Sequence, residues 1–183
     1  MSRLFSFSEG FSYNSLFDRR TGEGSMNVEI KRFWDLNRMY TQLRDELMAS
    51  LSDADLAFSP GGENLSLGAL CRELGETQHA YVQSFKNFKA DFSYRVNDDA
   101  YLTSVAKLQS WYAELDQQLE AVLSTVTDED VANKKMDRDG YEVPLHISLD
   151  ILREAMLIFY GKVSVYLKAM GKERTQMWQD WIA

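Results

Sequence analysis

Apolar residues recur at steps of three and four along four long stretches of the chain, the spacing of one buried stripe on a 3.6-residue helix. The most apolar stretch is 149–171, where Leu149, Leu152, Met156, Phe159, Val163, Tyr166 or Leu167, and Met170 share a face. Gly171 is placed to end this helix as its C′ residue, with Lys168 and Lys172 beside the negative end of the helix dipole. A first helix is predicted over 27–51, capped by Asn27, with Ile30, Phe33, Leu36, Tyr40, Leu43, Leu47 and Leu51 inward. A second opens at Asn64 or Ser66 and runs to Phe92 on the stripe Leu67, Leu70, Leu74, Tyr81, Phe85, Phe88 and Phe92. A third, over 99–124 and capped by Asn97 or Asp98, buries Tyr101 or Leu102, then Val105, Leu108, Tyr112, Leu115, Leu119 and Val122. The charges between these positions read as a solvated outer face.

The breaks between the stripes are as plain as the stripes. Ser59-Pro60-Gly61-Gly62 and Val96-Asn97-Asp98-Asp99 are connections, and Asp137-Arg138-Asp139-Gly140 is a turn that predicts a short hairpin before the last long helix. Met177, Trp178, Trp181 and Ile182 fall at helical spacing in a final segment, 173–182, expected to fold back as a short cap. Residues 1–25 differ from the rest: Phe5, Phe7, Phe11, Tyr13 and Phe17 alternate with serine and glycine, and 21–25 reads as a linker. They form an aromatic arm, able to make a small hairpin, that either covers apolar surface of its own bundle or is exchanged between two subunits. Met26 is an alternative start. The chain therefore divides into an arm, 1–25, and an all-α four-helix bundle with a short C-terminal helix, 26–183. Antiparallel packing around one core is expected, and connections of roughly ten residues leave room for a non-meander topology.

Composition narrows the class. In 183 residues, 45% hydrophobic and 26% charged, the chain is globular rather than disordered. Its formal net charge of −8 argues against nucleic acid as the main partner, since phosphate binding needs a basic face. It also argues against an anionic membrane surface. No apolar run has the length of a bilayer span, and no continuous apolar region near the start reads as a secretory signal. Cys71 is the single cysteine, so no disulfide can form within the chain, in keeping with a cytoplasmic location.

Standard catalytic motifs are missing: no phosphate loop, no GxSxG turn, no CxxC and no HExxH. Cys71 sits mid-helix beside an apolar stripe and reads as a small buried thiol. The two histidines, His79 and His146, read as surface or helix-end residues, and two cannot make a three-His site. A mixed site that joins one of them to Glu73, Asp150 or Glu154 is chemically open, because Zn and Mn accept carboxylates. Glu73 stands out because it borders the inward stripe of the second helix.

Two stretches carry a family resemblance. Ser66 to Leu74, SLGALCREL, is similar to the segment of the DinB/YfiT-like metalloenzyme superfamily that leads to its first ligand histidine, and Gly161 to Gly171, GKVSVYLKAMG, is similar to its Gly-Gln-aliphatic run with a Leu-Arg-x-x-Gly ending. The resemblance covers about residues 27–172. It implies a four-helix bundle of unusual topology with a short hairpin insert before the last long helix, often a homodimer, with three histidines on a divalent metal (Zn, Ni or Mn). In this chain the three ligand positions map to Glu73, Ala155 and Phe159, and no single shift of register restores a triad. The expectation is therefore no metal and no other cofactor. A residual cleft would lie near Glu73, Trp111, Glu154, Phe159 and Tyr160 and take a small molecule or a partner protein. The alternative is a metal-dependent thiol transferase or isomerase with a relocated, carboxylate-containing site.

Overall fold

The computed structural model describes residues 26–182; the aromatic arm lies outside them. Four long helices make the body: α1 (Val28–Ser50), α2 (Leu67–Asn87), α4 (Val105–Leu123) and α6 (Leu145–Ala169). The short helices α3 (Ala100–Thr103), α5 (Asp128–Asn133) and α7 (Gln176–Trp181) lie between or after them, and strands β1 (Lys135–Asp137) and β2 (Glu142–Pro144) form the hairpin. Each long helix begins or ends for a local reason. The side chain of Asn27 accepts from the amides of Glu29 and Ile30, and that of Ser66 from Ala69. Gly171 takes φ +67°, which lets its amide reach the carbonyl of Lys168 and the next amide, Lys172, reach Leu167, closing α6 with a Schellman turn.

Around the bundle α1 packs on α6 and α4, while α2 packs on α4 and α6. The successive long helices α1 and α2, and likewise α4 and α6, therefore lie diagonally across the core. This is the non-meander topology that the long connections allowed. Leu43, Leu47, Leu74, Tyr81, Leu108, Leu115, Leu149, Leu152 and Val163 fill the interior from all four helices. Trp178 of α7 completes it, donating its indole N–H to the Leu43 carbonyl at 2.8 Å and meeting Tyr160 edge-on. Gly75 admits the Trp111 ring: a Cβ there would lie 2.2 Å from the ring, so only glycine lets α4 come this close to α2.

Several predicted boundaries and faces shift. The inward face of α1 holds Trp34, Asn37 and Arg44, while Leu36 is 37% exposed. Polar residues win these positions because partners wait for them. Asn37 donates to the carbonyls of Phe33 and Leu149. Arg44 reaches Gln78 on α2 at 3.0 Å and both carboxylate oxygens of Asp116 on α4, at 3.1 and 2.6 Å, and lies 4.6 Å from the centre of the Tyr112 ring. Asp116 is one of the charges read as solvated, yet it anchors this network. Burial alone would lower the Arg44 pKa, but Asp116 and Asp45 outweigh it and hold the guanidinium above its usual value.

α2 stops at Asn87 rather than Phe92. Phe88 turns left-handed, φ +56°, and its carbonyl takes the amide of Asp137, while the Ala90 amide donates to the Asp137 carbonyl. Strand-like pairing with β1 thus captures backbone groups that helix would otherwise have used. The predicted third helix is interrupted at Ser104, where the Asp53 carboxylate takes the Val105 amide. α6 begins at Leu145, earlier than 149, directly after the hairpin. The hairpin forms as expected: Met136 pairs with Val143, and Asp139 and Gly140, both at positive φ, make a two-residue turn closed by Arg138 and Tyr141.

Replacing Arg44 with Leu strands Asp116 and Gln78 without their cation. Urea unfolding should show a loss of about 3–5 kcal/mol. The double variant Arg44→Leu/Asp116→Leu should regain part of it, because both members of the pair are then gone. An Arg44→Leu protein as stable as wild type would show that the network is not a structural tie.

Candidate functional site

α2 and α6 run antiparallel and leave a cleft between them. Leu70, Glu73, Leu74 and Thr77 line one wall, and Ala155, Ile158, Phe159 and Lys162 the other, around a volume of about 180 Å³. Steps of three and four on each helix put these eight residues on facing ridges. The floor is apolar, with Leu70, Leu74 and Phe159 all buried. The mouth is charged: Glu73 and Lys162 are both exposed. Among the described residues the Glu73 carboxylate forms no ion pair, and its head lies in solvent at the rim. The Thr77 hydroxyl donates to the Glu73 main-chain carbonyl, leaving the side chain unengaged.

Of the residues predicted for a cleft, Glu73 and Phe159 meet here, and Ala155 joins them. The other three lie elsewhere. Trp111 packs on the α4 side of α2, over Gly75 and against Tyr101. Tyr160 is fully buried and donates its hydroxyl to the Tyr40 carbonyl. Glu154 is exposed, on the outward face of α6. Leu70, Leu74, Thr77, Ile158 and Lys162 were not predicted. The signal for them was present: Leu70, Thr77, Ile158 and Lys162 each lie three or four residues from Glu73, Ala155 or Phe159 on the same helix, and Leu74 lies four from Leu70.

The histidines have other surroundings. His79 stacks on Tyr94 with ring centres 3.9 Å apart, and burial, with Lys86 adding to it, lowers its pKa. His146, at the start of α6, stacks on Phe33 and sets Nδ1 3.1 Å from Glu29. Asp150 pairs with Arg153 one turn along the same helix. Among the described residues no three His, Cys, Asp or Glu side chains stand together to hold a metal ion. A larger, more open hollow of about 590 Å³ lies between the ends of α2 and α4 over Phe85, Phe88 and Val122. Its Lys134 is already engaged by Asp130 and by the Phe88 ring, and it contains none of the residues that the sequence offers as metal ligands or cleft candidates.

No protein-family model and no curated protein matches the sequence. Among solved structures the chain is similar to a DinB-like protein from Bacillus subtilis, with a TM-score of 0.57 and 18% identical residues over 82% of this chain and 94% of that one. The fold is DinB-like. Within the DinB-like bundle, the three positions that the sequence resemblance equates with metal ligands face one another across one cleft. A divalent metal would find there one carboxylate, one methyl group and one phenyl ring. Neither the methyl nor the ring offers a lone pair, so this donor set does not fit a metal. No described helix is long and apolar enough to cross a membrane.

Cys71 is equally ill-suited to nucleophilic chemistry. It is wholly buried, and burial pushes its thiol up to about 12, although the Tyr112 hydroxyl acts the other way. Folded protein at pH 8 should therefore resist a thiol reagent such as dithionitrobenzoate, and one thiol per chain should appear only in denaturant. Rapid labelling of the folded state would contradict the buried placement.

Proposed function

We propose that this protein is a non-enzymatic binding protein on a DinB-like bundle, whose α2–α6 cleft takes a small amphipathic molecule or a partner's side chain without metal. One observation supports the reading above the others. Glu73, Ala155 and Phe159, the positions that the sequence resemblance equates with metal ligands, line the cleft together and give it an apolar floor with one acidic rim residue. An apolar group fits against Leu70, Leu74 and Phe159, and a cationic end would meet Glu73 at the mouth. Lys162 on the opposite lip favours a ligand that also carries an acceptor. The relocated metal site needs a histidine beside Glu73, Asp150 or Glu154, and the surroundings of His79 and His146 give it no support.

The test is metal binding by wild type against a variant with donors restored. Purified wild-type protein, titrated with Zn²⁺ in a calorimeter, should show no stoichiometric site. Ala155→His/Phe159→His places two imidazoles one turn apart opposite Glu73 and should bind one Zn²⁺ per chain. Removing Glu73 from that variant should weaken binding by at least about tenfold, the loss of one ligand. Stoichiometric Zn, Ni or Mn in wild-type protein, lost on Glu73→Ala, would overturn the proposal.

A further inference from the structure

The larger hollow lies where α2 stops at Asn87 and α4 at Leu123, and the chain turns away from both helices. Phe85, Val122 and Val126 make a buried apolar floor, Phe88 is half-buried above it, and Ala121 on the lip is exposed. Its volume of about 590 Å³ falls in the range of sites that hold a ligand, about 300–1,000 Å³. The arm joins the bundle at the edge of this hollow. Met26 packs on the core, and the side chain of the next residue, Asn27, donates to the Asp128 carboxylate at the start of α5. Val126 and Asp130, which line the hollow, stand two residues either side of Asp128, hence within about 8 Å of it along the chain.

The order of chemistry along the arm matches the order of surfaces on that route. Going back from Asn27 come the linker 21–25, then Arg20 and Arg19, then Phe17 and Leu16. Going outward from Asn27 on the bundle come the exposed carboxylates Asp128 and Glu129, then the apolar hollow. Phe17 is ten residues from Asn27, a reach of at most about 35 Å, so length is no obstacle. Among the described residues Glu129 has no ion pair, and neither has Lys86 on the far lip, where Asp18 would find it. The α2–α6 cleft fits the arm less well: it is smaller, about 180 Å³, and Glu73 is the one acid at its mouth. We infer that the arm docks on its own bundle, with Leu16 and Phe17 seated in the hollow between the ends of α2 and α4, and Arg19 and Arg20 on Asp128 and Glu129. The two apolar side chains and the floor leave water together, while the arginines are held at the exposed lip by charge. A short tether supplies an effective concentration on the order of millimolar, so even a weak seat is filled by the chain's own segment ahead of a second copy's. The inference does not depend on what the α2–α6 cleft binds.

Engineered thiols read the seat directly, because the native Cys71 is buried. In Phe17→Cys/Ala121→Cys, mild oxidation at about 5 µM chain should close a disulfide within one chain. Phe17→Cys/Ile158→Cys, which offers the α2–α6 cleft instead, should oxidise at least about tenfold more slowly. An equal mixture of the single variants Phe17→Cys and Ala121→Cys should give no linked pair. Trypsin supplies a second reading that needs no thiol, since it cleaves after Arg19 and Arg20. Cleavage there should run at least about fivefold faster in Ala121→Trp, whose own ring fills the hollow, than in wild type, with helical circular dichroism unchanged. Failure to link at position 121, or linkage at 158 as fast as at 121, would overturn the inference. So would a linked pair in the mixture, the mark of an arm exchanged between subunits. Equal trypsin rates in wild type and Ala121→Trp would overturn it as well.

Discussion

A single buried guanidinium joins the two helices that the topology sets apart. α1 and α2 are consecutive long helices but lie diagonally across the bundle, so apolar ridges alone give them little shared surface. Arg44 spans that diagonal by binding Gln78 of α2 and Asp116 of α4 together. An ion of this kind adds little net stability over an apolar replacement, but it is costly to leave unpaired. It therefore acts on register: α1 can slide or rotate only by giving up two hydrogen-bonding partners at once. Tyr112 stacks beneath the guanidinium and hydrogen-bonds the Cys71 carbonyl, extending the same tie along α2.

That constraint also explains which parts of the fold were legible in the sequence. Helices α2, α4 and α6 bury the stripes that apolar periodicity marks, from Leu67 to Phe85, Val105 to Val122, and Leu149 to Leu167. Caps at Asn27 and Ser66, the Asp139-Gly140 turn and the Gly171 ending follow from local chemistry and were readable for that reason. On α1 the periodicity marked Ile30, Leu43, Leu47 and Leu51, which are buried, but misplaced Leu36 and missed the polar part of the inward face. Asn37 and Arg44 are buried for the sake of partners more than thirty residues away, which no local pattern records. The end of α2 and the break at Ser104 were hidden likewise, since Asp137 and Asp53 impose them from distant segments.

The cleft was legible to the extent that it is helical. Glu73, Ala155 and Phe159 come together because two short motifs carry a register that the fold preserves. Trp111 and Tyr160 do not join them, because the aromatic rings of a bundle core are divided among several interfaces that sequence spacing cannot tell apart. Trp111 belongs to the α2–α4 contact and Tyr160 to the α1–α6–α7 corner.

The two walls of the cleft are fastened at both ends. At one end the segment after α2 pairs through its main chain with the hairpin that leads into α6, at Phe88, Ala90 and Asp137. At the other, Tyr166 of α6 donates to the carbonyl of Leu65, just ahead of α2. The consequence is mechanical. The slot behaves less like a jaw than like a gauge of set width, since widening it means breaking a hydrogen bond at one end or the other. A group thin enough for the slot as built would need little reordering of the protein around it, so thickness limits access before charge does.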